Sequence, residues 1–355
     1  MELARPKVLA GRRNRPYVQP PAREGDRFLF VEYMPKPLDT LPLLTYADSL
    51  VENLRELIAS AVGGQDEEDV HDARVATRRL KALSNLVRPV VSNKSRRPFN
   101  RVGKCLRRQL GPLRDIDVML EHLDELKQPK LQPAIQWLRD RLAELRQTAI
   151  NAAGEKAPPA RMLARLGAWW GMRHEIEQAR DSIEQLLSQS VHLQLDAFIE
   201  QAEDLAGERR NDPHQLRIAG KSLRYTLEMA REQGNKLPAA VLSLFKRMQT
   251  ALGLWHDYVV LAERIMCESV ACDLALHDMK LQSELLQVVQ VCFRRSEAQL
   301  QKMAKLWKTR GESLTETIRQ SFPLTEHPTE APESAEPAPP EAPPVEIEPD
   351  PAISA

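Results

Sequence analysis

The 355-residue sequence predicts an all-helical, internally duplicated protein. Charged residues make up 28% of the chain and aromatic residues only 5%, a balance that suits helices better than sheets. Apolar residues recur at helical spacing over most of the length. A stretch near residue 71 also returns near residue 214 in the same register. His71-Asp72-Ala73-Arg74-Val75-Ala76-Thr77-Arg78-Arg79-Leu80-Lys81 is answered by His214-Gln215-Leu216-Arg217-Ile218-Ala219-Gly220-Lys221-Ser222-Leu223-Arg224. At an offset of 143, His71 falls on His214, Arg74 on Arg217, Arg78 on Lys221 and Lys81 on Arg224. Val75, Ala76 and Leu80 fall likewise on Ile218, Ala219 and Leu223. A period this long, seen only twice, indicates duplication rather than a solenoid.

Residues 1–42 are rich in Pro, Arg and Gly and lack periodicity, which predicts a flexible basic arm. A helix begins near Leu43, runs through Leu50, Leu54, Leu57, Ile58 and Ala61, and ends at Gly63-Gly64. The first motif then forms an amphipathic helix as far as Pro89. Spacing of i, i+3, i+7, i+10 puts His71, Arg74, Arg78 and Lys81 within about 80° of arc. Val75, Ala76, Leu80, Leu83 and Val87 form the other side. Lys94, Arg97, Arg101, Lys104 and Arg108 place a second cationic stripe on the next helix.

Gly111-Pro112 is expected to close that helix, and Arg114-Asp115-Ile116-Asp117-Val118 to open another. This junction also repeats, at an offset of 142: Leu110-Gly111 falls on Leu252-Gly253, Arg114 on His256, Asp115 on Asp257 and Val118 on Val260. Lys104 falls on Lys246, but Arg97, Arg101 and Arg108 fall on Ala239, Ser243 and Thr250, so the second copy of the stripe is thinner. Helical patterns continue over 131–151 and 162–206, interrupted around 154–159, and again over 259–275 and 281–307. After Phe322 the chain turns to Pro, Glu and Ala without aromatic residues, the composition of a disordered acidic tail. The expected organisation is an arm (1–42), a helical domain (43–322, in halves of about 43–185 and 186–322) and a tail (323–355).

The formal net charge is zero, but 323–355 carries eight acidic and no Lys or Arg residues, which leaves about +8 on the remainder. Two like-charged stripes cost stability by self-repulsion, and their repetition asks for an anionic partner. Guanidinium groups can fork onto phosphate oxygens and ammonium groups act as point charges. A protonated histidine at the end of each stripe could donate as well. Asp72, Asp115 and Asp257 are expected to cap helices or orient the bases.

No glycine-rich phosphate loop, GxSxG or HExxH is present. His71-Asp72 and His256-Asp257 raise the alternative of a helical metal-dependent phosphohydrolase, but His71 has no histidine upstream, and His256, for which His214 and Asp273 or Asp278 are candidate partners, would form a dyad crowded by Lys221 and Arg224 that disfavours a cation. No metal, cofactor or catalytic residue is therefore expected. General nucleic-acid binding is the other alternative. Base stacking would need exposed aromatics, and the nearby Tyr225 and Trp255 read as core, which favours a linear phosphate chain. Cys105, Cys267, Cys272 and Cys292 show neither metal-ligand nor disulfide spacing. No signal core or run of about 20 apolar residues is present, so a cytoplasmic protein is expected.

The motif around His71, the Leu110-Gly111-x-x-Arg114-Asp115-x-Asp117-Val118 segment and their second copies resemble the CHAD (conserved histidine α-helical) domain, over about 43–320. The resemblance implies two four-helix bundles related by pseudo-twofold symmetry around a basic cleft or pore. It also implies binding of inorganic polyphosphate and association with polyphosphate granules. Carried over by position, the ligand-facing set is His71, Arg74, Arg78, Lys81, His214, Arg217, Lys221 and Arg224, with Lys104, Arg108 and Lys246. The residues themselves add Arg79, Lys94, Arg97 and Arg101. Some members carry an N-terminal triphosphate-hydrolysing domain; nothing in 1–42 resembles it, so a non-enzymatic protein is expected. Gly220 departs from the first copy, where Thr77 stands, at a cost near 1 kcal/mol relative to Ala inside a helix; close packing between the halves is the expected reason.

Overall fold

The computed structural model describes residues 41–64, 66–206 and 213–324. The basic arm up to residue 40 and the acidic tail from residue 325 lie outside the described residues. Among those described, the chain forms α-helices, two single turns of 3-10 helix, and no strand. The helices are α1 (Pro42–Gly63), α2 (Glu67–Leu86), α3 (Asn93–Asp124), α4 (Gln132–Lys156), α5 (Pro159–Leu166), α6 (Trp169–Gln178), α7 (Ile183–Ala206), α8 (Pro213–Gln233), α9 (Ala239–Ala271), α10 (Leu274–His277) and α11 (Met279–Ser321).

Local chemistry sets the start of the first motif helix. Pro42 opens α1, where a missing N–H costs nothing, and Gly64 closes it at φ +60°, a conformation glycine adopts freely. A side chain at Gly64 would also strike Ile150, whose Cγ1 lies 2.6 Å from the position of a β-carbon. The Asp66 carboxylate then accepts the Glu68 N–H at 2.8 Å and caps α2. Glu67, Glu68 and Asp69 fill the first turn, where negative charge suits the helix dipole. Asp72 lies beyond this cap, exposed in the helix body, so it is not the capping residue. The buried face of α2 is Val70, Ala73, Ala76, Thr77, Leu80 and Leu83, with Val75 only half-buried.

Helix α3 departs most from expectation. It runs unbroken through Gly111-Pro112, and α9 runs unbroken through Leu252-Gly253. Neither place is a junction, and Asp115 and Asp257 lie within helices rather than capping them. A proline in a helix interior costs about 3 kcal/mol. Against this, Phe99, Val102, Leu106, Leu110, Leu113, Ile116 and Met119 continue one buried face across the proline. Burial of each large apolar side chain contributes about 1.5–3 kcal/mol, so the face outweighs the break. Pro112 is exposed, and its ring projects away from that face.

Two hydrophobic cores result. One lies among α1, α2, the first part of α3, α5 to α8, the first part of α9 and the end of α11. The other is formed by the end of α3, α4, the second part of α9, α10 and the start of α11. Each core therefore draws helices from both halves of the sequence. The chain of neighbours α1–α2, α2–α3, α3–α4 recurs as α7–α8, α8–α9, α9–α11, and the two series meet where α2 packs on α8 and α3 on α9. Asp117 ties the motif to its own bundle: fully buried, it accepts from Arg146 Nε of α4 at 2.8 Å, while Arg146 Nη1 donates to the Gly64 carbonyl at 3.1 Å.

Gly220 is explained by packing, though not across the two halves. A β-carbon there would lie 3.2 Å from Cε2 of Phe198 on α7. Phe198 is fully buried, with Phe245 and Trp307 against it at ring-centroid distances of 5.3 and 5.6 Å, so its ring has nowhere to move. Gly220→Val should destabilise the protein by about 1–3 kcal/mol through overpacking, read as a lower denaturant midpoint with an unchanged slope.

Candidate anion-binding site

Where α2 meets α8 and α3 meets α9, a cavity of about 180 Å³ is lined by Arg74, Arg78, Asp115, Val118, Met119, Arg217, His256, Asp257 and Val260. Three pairs in this lining occupy offset-related positions: Arg74 and Arg217, Asp115 and Asp257, Val118 and Val260. The first motif helix supplies Arg74 and Arg78, its counterpart supplies Arg217, and the mid-helix acidic segments supply the carboxylates.

Arg74 is held from two sides. Its Nη1 donates to the Arg107 carbonyl at 3.3 Å, and its Nη2 lies 3.7 Å from Asp115 Oδ1. Gly111 makes room for it, since a β-carbon there would come within 3.0 Å of Arg74 Nη1. Arg107 in turn donates from Nη1 to the Thr77 carbonyl at 2.7 Å. At the offset-related positions, Gln249 donates from Nε2 to the Gly220 carbonyl. Each motif helix is thus gripped at the same backbone oxygen from the following long helix.

The electrostatics are those of crowded, partly dehydrated cations. Burial, with the nearby positive charges of Arg217 and Arg78, pulls the Lys221 amine down from 10.5 to about 7. Arg74 falls to about 10 by burial, with Asp115 opposing and Arg78, Arg114 and Arg107 adding to the shift; it stays charged at neutral pH. Burial likewise lowers Arg107 and Arg217. His256 drops to about 4 through burial and the Arg217 charge, so it is a neutral imidazole. Burial, reinforced by Arg114, also lowers His71, which is exposed at the edge of the site. Arg78 is the common neighbour, its charge acting on Arg74, Arg107, Arg217, Lys221 and His71. Burial raises Asp115 against the pull of Arg74 and Arg78.

The expected residues separate into three groups. Arg74, Arg78 and Arg217 line the central cavity, the charges of Arg217 and Arg78 act on the nearby Lys221, and the His214 ring lies 5.4 Å from that of His256. Arg79, Arg224 and Lys246 instead line a second cavity of about 510 Å³ with Tyr46 and Glu228. Lys81 is exposed and borders only a crevice of about 10 Å³. Lys94, Arg97, Arg101, Lys104 and Arg108 are exposed on α3 and line neither of these two cavities.

Some participants lay outside the expected set. Arg107 is adjacent in sequence to the α3 stripe but about 100° around the helix from Arg108, which turns it towards α2. His256 lines the cavity as a neutral ring. Tyr225 and Trp255 are buried in the core, as expected. Among the described residues, no group of three or more His, Cys, Asp or Glu side chains is arranged to hold a metal ion, and no helix is long and apolar enough to cross a membrane.

The scaffold is all-helical and brings arginine and lysine side chains from both motif helices close together. Residues 45–266 match the family model of the CHAD domain, and the chain belongs to that family. Its fold is similar to the crystal structure of the CHAD domain from the plant Ricinus communis, at 20% sequence identity and a TM-score of 0.53, over 79% of this chain and 90% of that one. No curated protein sequence matches.

The Lys221 shift has a consequence for stability. Between about 7 and 10.5 the unfolded chain holds a proton on this amine that the folded protein has shed. Stability therefore rises with pH across that window, because the unfolded state binds more protons. Relative to Lys221→Met, the parent protein should gain stability from pH 7 to pH 10 in parallel denaturation series, and the difference should level off above the ordinary lysine value.

Proposed function

We propose that this protein binds inorganic polyphosphate without chemical turnover, through the cavity between α2, α3, α8 and α9. The observation that carries the reading is the convergence of Arg74, Arg78 and Arg217, from both motif copies, on one cavity, with Lys221 close enough to feel the charges of Arg217 and Arg78. Two further features support it. The Arg217 Nε is buried and makes no hydrogen bond within the described residues, which leaves a charged donor in want of an acceptor. A polyanion beside Lys221 would restore its proton, so binding relieves the repulsion among these cations.

A linear phosphate chain fits this chemistry better than nucleic acid. Tyr225 and Trp255 offer no stacking surface, while successive phosphates present acceptors to every cation. His256, neutral and flanked by Arg217 and Lys221, lies in a field that repels a metal cation and argues against metal-assisted hydrolysis. In a cell the protein would act as a polyphosphate-associated scaffold, at polyphosphate granules where these form.

Competition at fixed, near-physiological salt tests the reading, with labelled long-chain polyphosphate displaced by orthophosphate, single-stranded RNA and duplex DNA. Long polyphosphate should win by a wide margin, with or without chelator; equal displacement by nucleic acid would leave only a generic cationic surface. Arg78→Glu combined with Lys221→Glu should weaken polyphosphate binding at least about a hundredfold, since two charge-assisted contacts are lost. Helix content by circular dichroism should stay at the parent level.

A further inference from the structure

The second cavity holds a carboxylate where a binding site for anions would hold its ligand. Glu228, on α8, lies with Oε2 2.9 Å from Arg79 Nε of α2 and Oε1 3.3 Å from Arg224 Nε. It thus bridges a base from each motif copy, one oxygen to each. The pairing with Arg79 is a hydrogen bond. The one with Arg224 is not: Arg224 Nε is buried and makes no hydrogen bond, and the guanidinium rests 4.8 Å over the Tyr225 ring. Lys246 and Arg231 line the same space. The Arg224 charge also reaches Lys221 in the central site, one helical turn away, so the two cation groups are electrically continuous.

We propose that Glu228 is a built-in competing anion that closes the cation track at the end of the central cavity and makes binding depend on chain length. The inference rests on the polyphosphate reading of the central site. A short phosphate chain engages Arg74, Arg78, Arg217 and Lys221 and leaves Glu228 in place. A longer one carries phosphates on to Arg224, whose weak pairing yields first, and displaces the carboxylate from Arg79. The side chain of Glu228 is about one-fifth exposed, so it has solvent into which to swing. An exchange of carboxylate for phosphate between the same two arginines leaves neither cation unpaired, and keeps the cost of opening small.

The test compares affinities of the full chain for tripolyphosphate and long-chain polyphosphate across a salt series. Glu228→Gln removes the charge and keeps the shape. It should raise the ratio of long-chain to tripolyphosphate affinity by about tenfold and steepen the salt dependence of long-chain binding by about one released counterion, the one charge removed. Arg79→Met should lower the same ratio, and it decides the matter if Glu228→Gln fails to fold by circular dichroism. A ratio equal to that of the parent in the folded variants would show Glu228 to be a structural ion pair and overturn the inference. A parent protein that binds neither chain would instead overturn the polyphosphate reading itself.

Discussion

Two cationic helix faces cannot pack on one another in the dry part of a protein unless their charge is answered, and this constraint shapes the centre of the molecule. Two like charges about 6 Å apart repel by roughly 3 kcal/mol at an effective dielectric constant near 20, and α2 and α8 bring several together. The structure answers them sparingly. Asp115 offsets Arg74, Asp257 offsets Arg217, and Glu228 bridges the two motif helices through Arg79 and Arg224. Backbone carbonyls do the rest, accepting from Arg74 and Arg107 without adding charge. What stays unanswered shows in the depressed amine of Lys221 and the lone Nε of Arg217.

That economy separates holding from binding. Full neutralisation would stabilise the interface but leave nothing to attract a ligand. The buried Asp117 shows the other extreme: its Oδ1 accepts from Arg146 at 2.8 Å, and the same guanidinium donates to the end of α1. Asp115, two residues earlier, is raised by burial and only 3.7 Å from its arginine, a looser contact. Alternation along one helix therefore gives two neighbouring acids different work. Asp257 has a further neighbour on its far side, where the buried His122 lies 3.9 Å away and is stacked on Tyr258. Burial opposes charge on that histidine, but Asp257 and Glu125 more than compensate, and its affinity for a proton is raised.

Much of this was legible in the sequence because it is periodic. The register of the duplicated motif places Arg74, Arg78, Arg217 and Lys221 together, since helical spacing fixes which residues share a face before any tertiary contact is known. The misreadings all came from local signals that tertiary packing overrode. Gly111-Pro112 is a strong stop by itself, yet the buried face from Phe99 to Met119 crosses it at unbroken spacing. The regular α3 stripe does lie on one exposed side of its helix, while Arg107, next to Arg108 in sequence, turns inward to α2. Gly220 looked like a close approach of the halves and proved to be a seat for Phe198. Glu228 is four residues after Arg224, an ordinary surface pairing by spacing alone, and nothing in the sequence reveals that Arg79 reaches it from the other copy.

The same reasoning distinguishes the two cavities that the motif residues form. Both contain bases from each copy, so residue type does not tell them apart; the placement of acid does. In the central cavity the carboxylates sit beside the arginines, on the long helices behind them, and leave the space between open. In the second, the carboxylate stands between the arginines themselves and takes one nitrogen from each. An acid behind a cation fixes its position at a modest cost in field, while an acid between two cations competes directly with whatever they would bind. On the proposed reading, two motif helices that carry nearly the same residues therefore present one open anion site and one that opens only to a ligand able to displace a carboxylate.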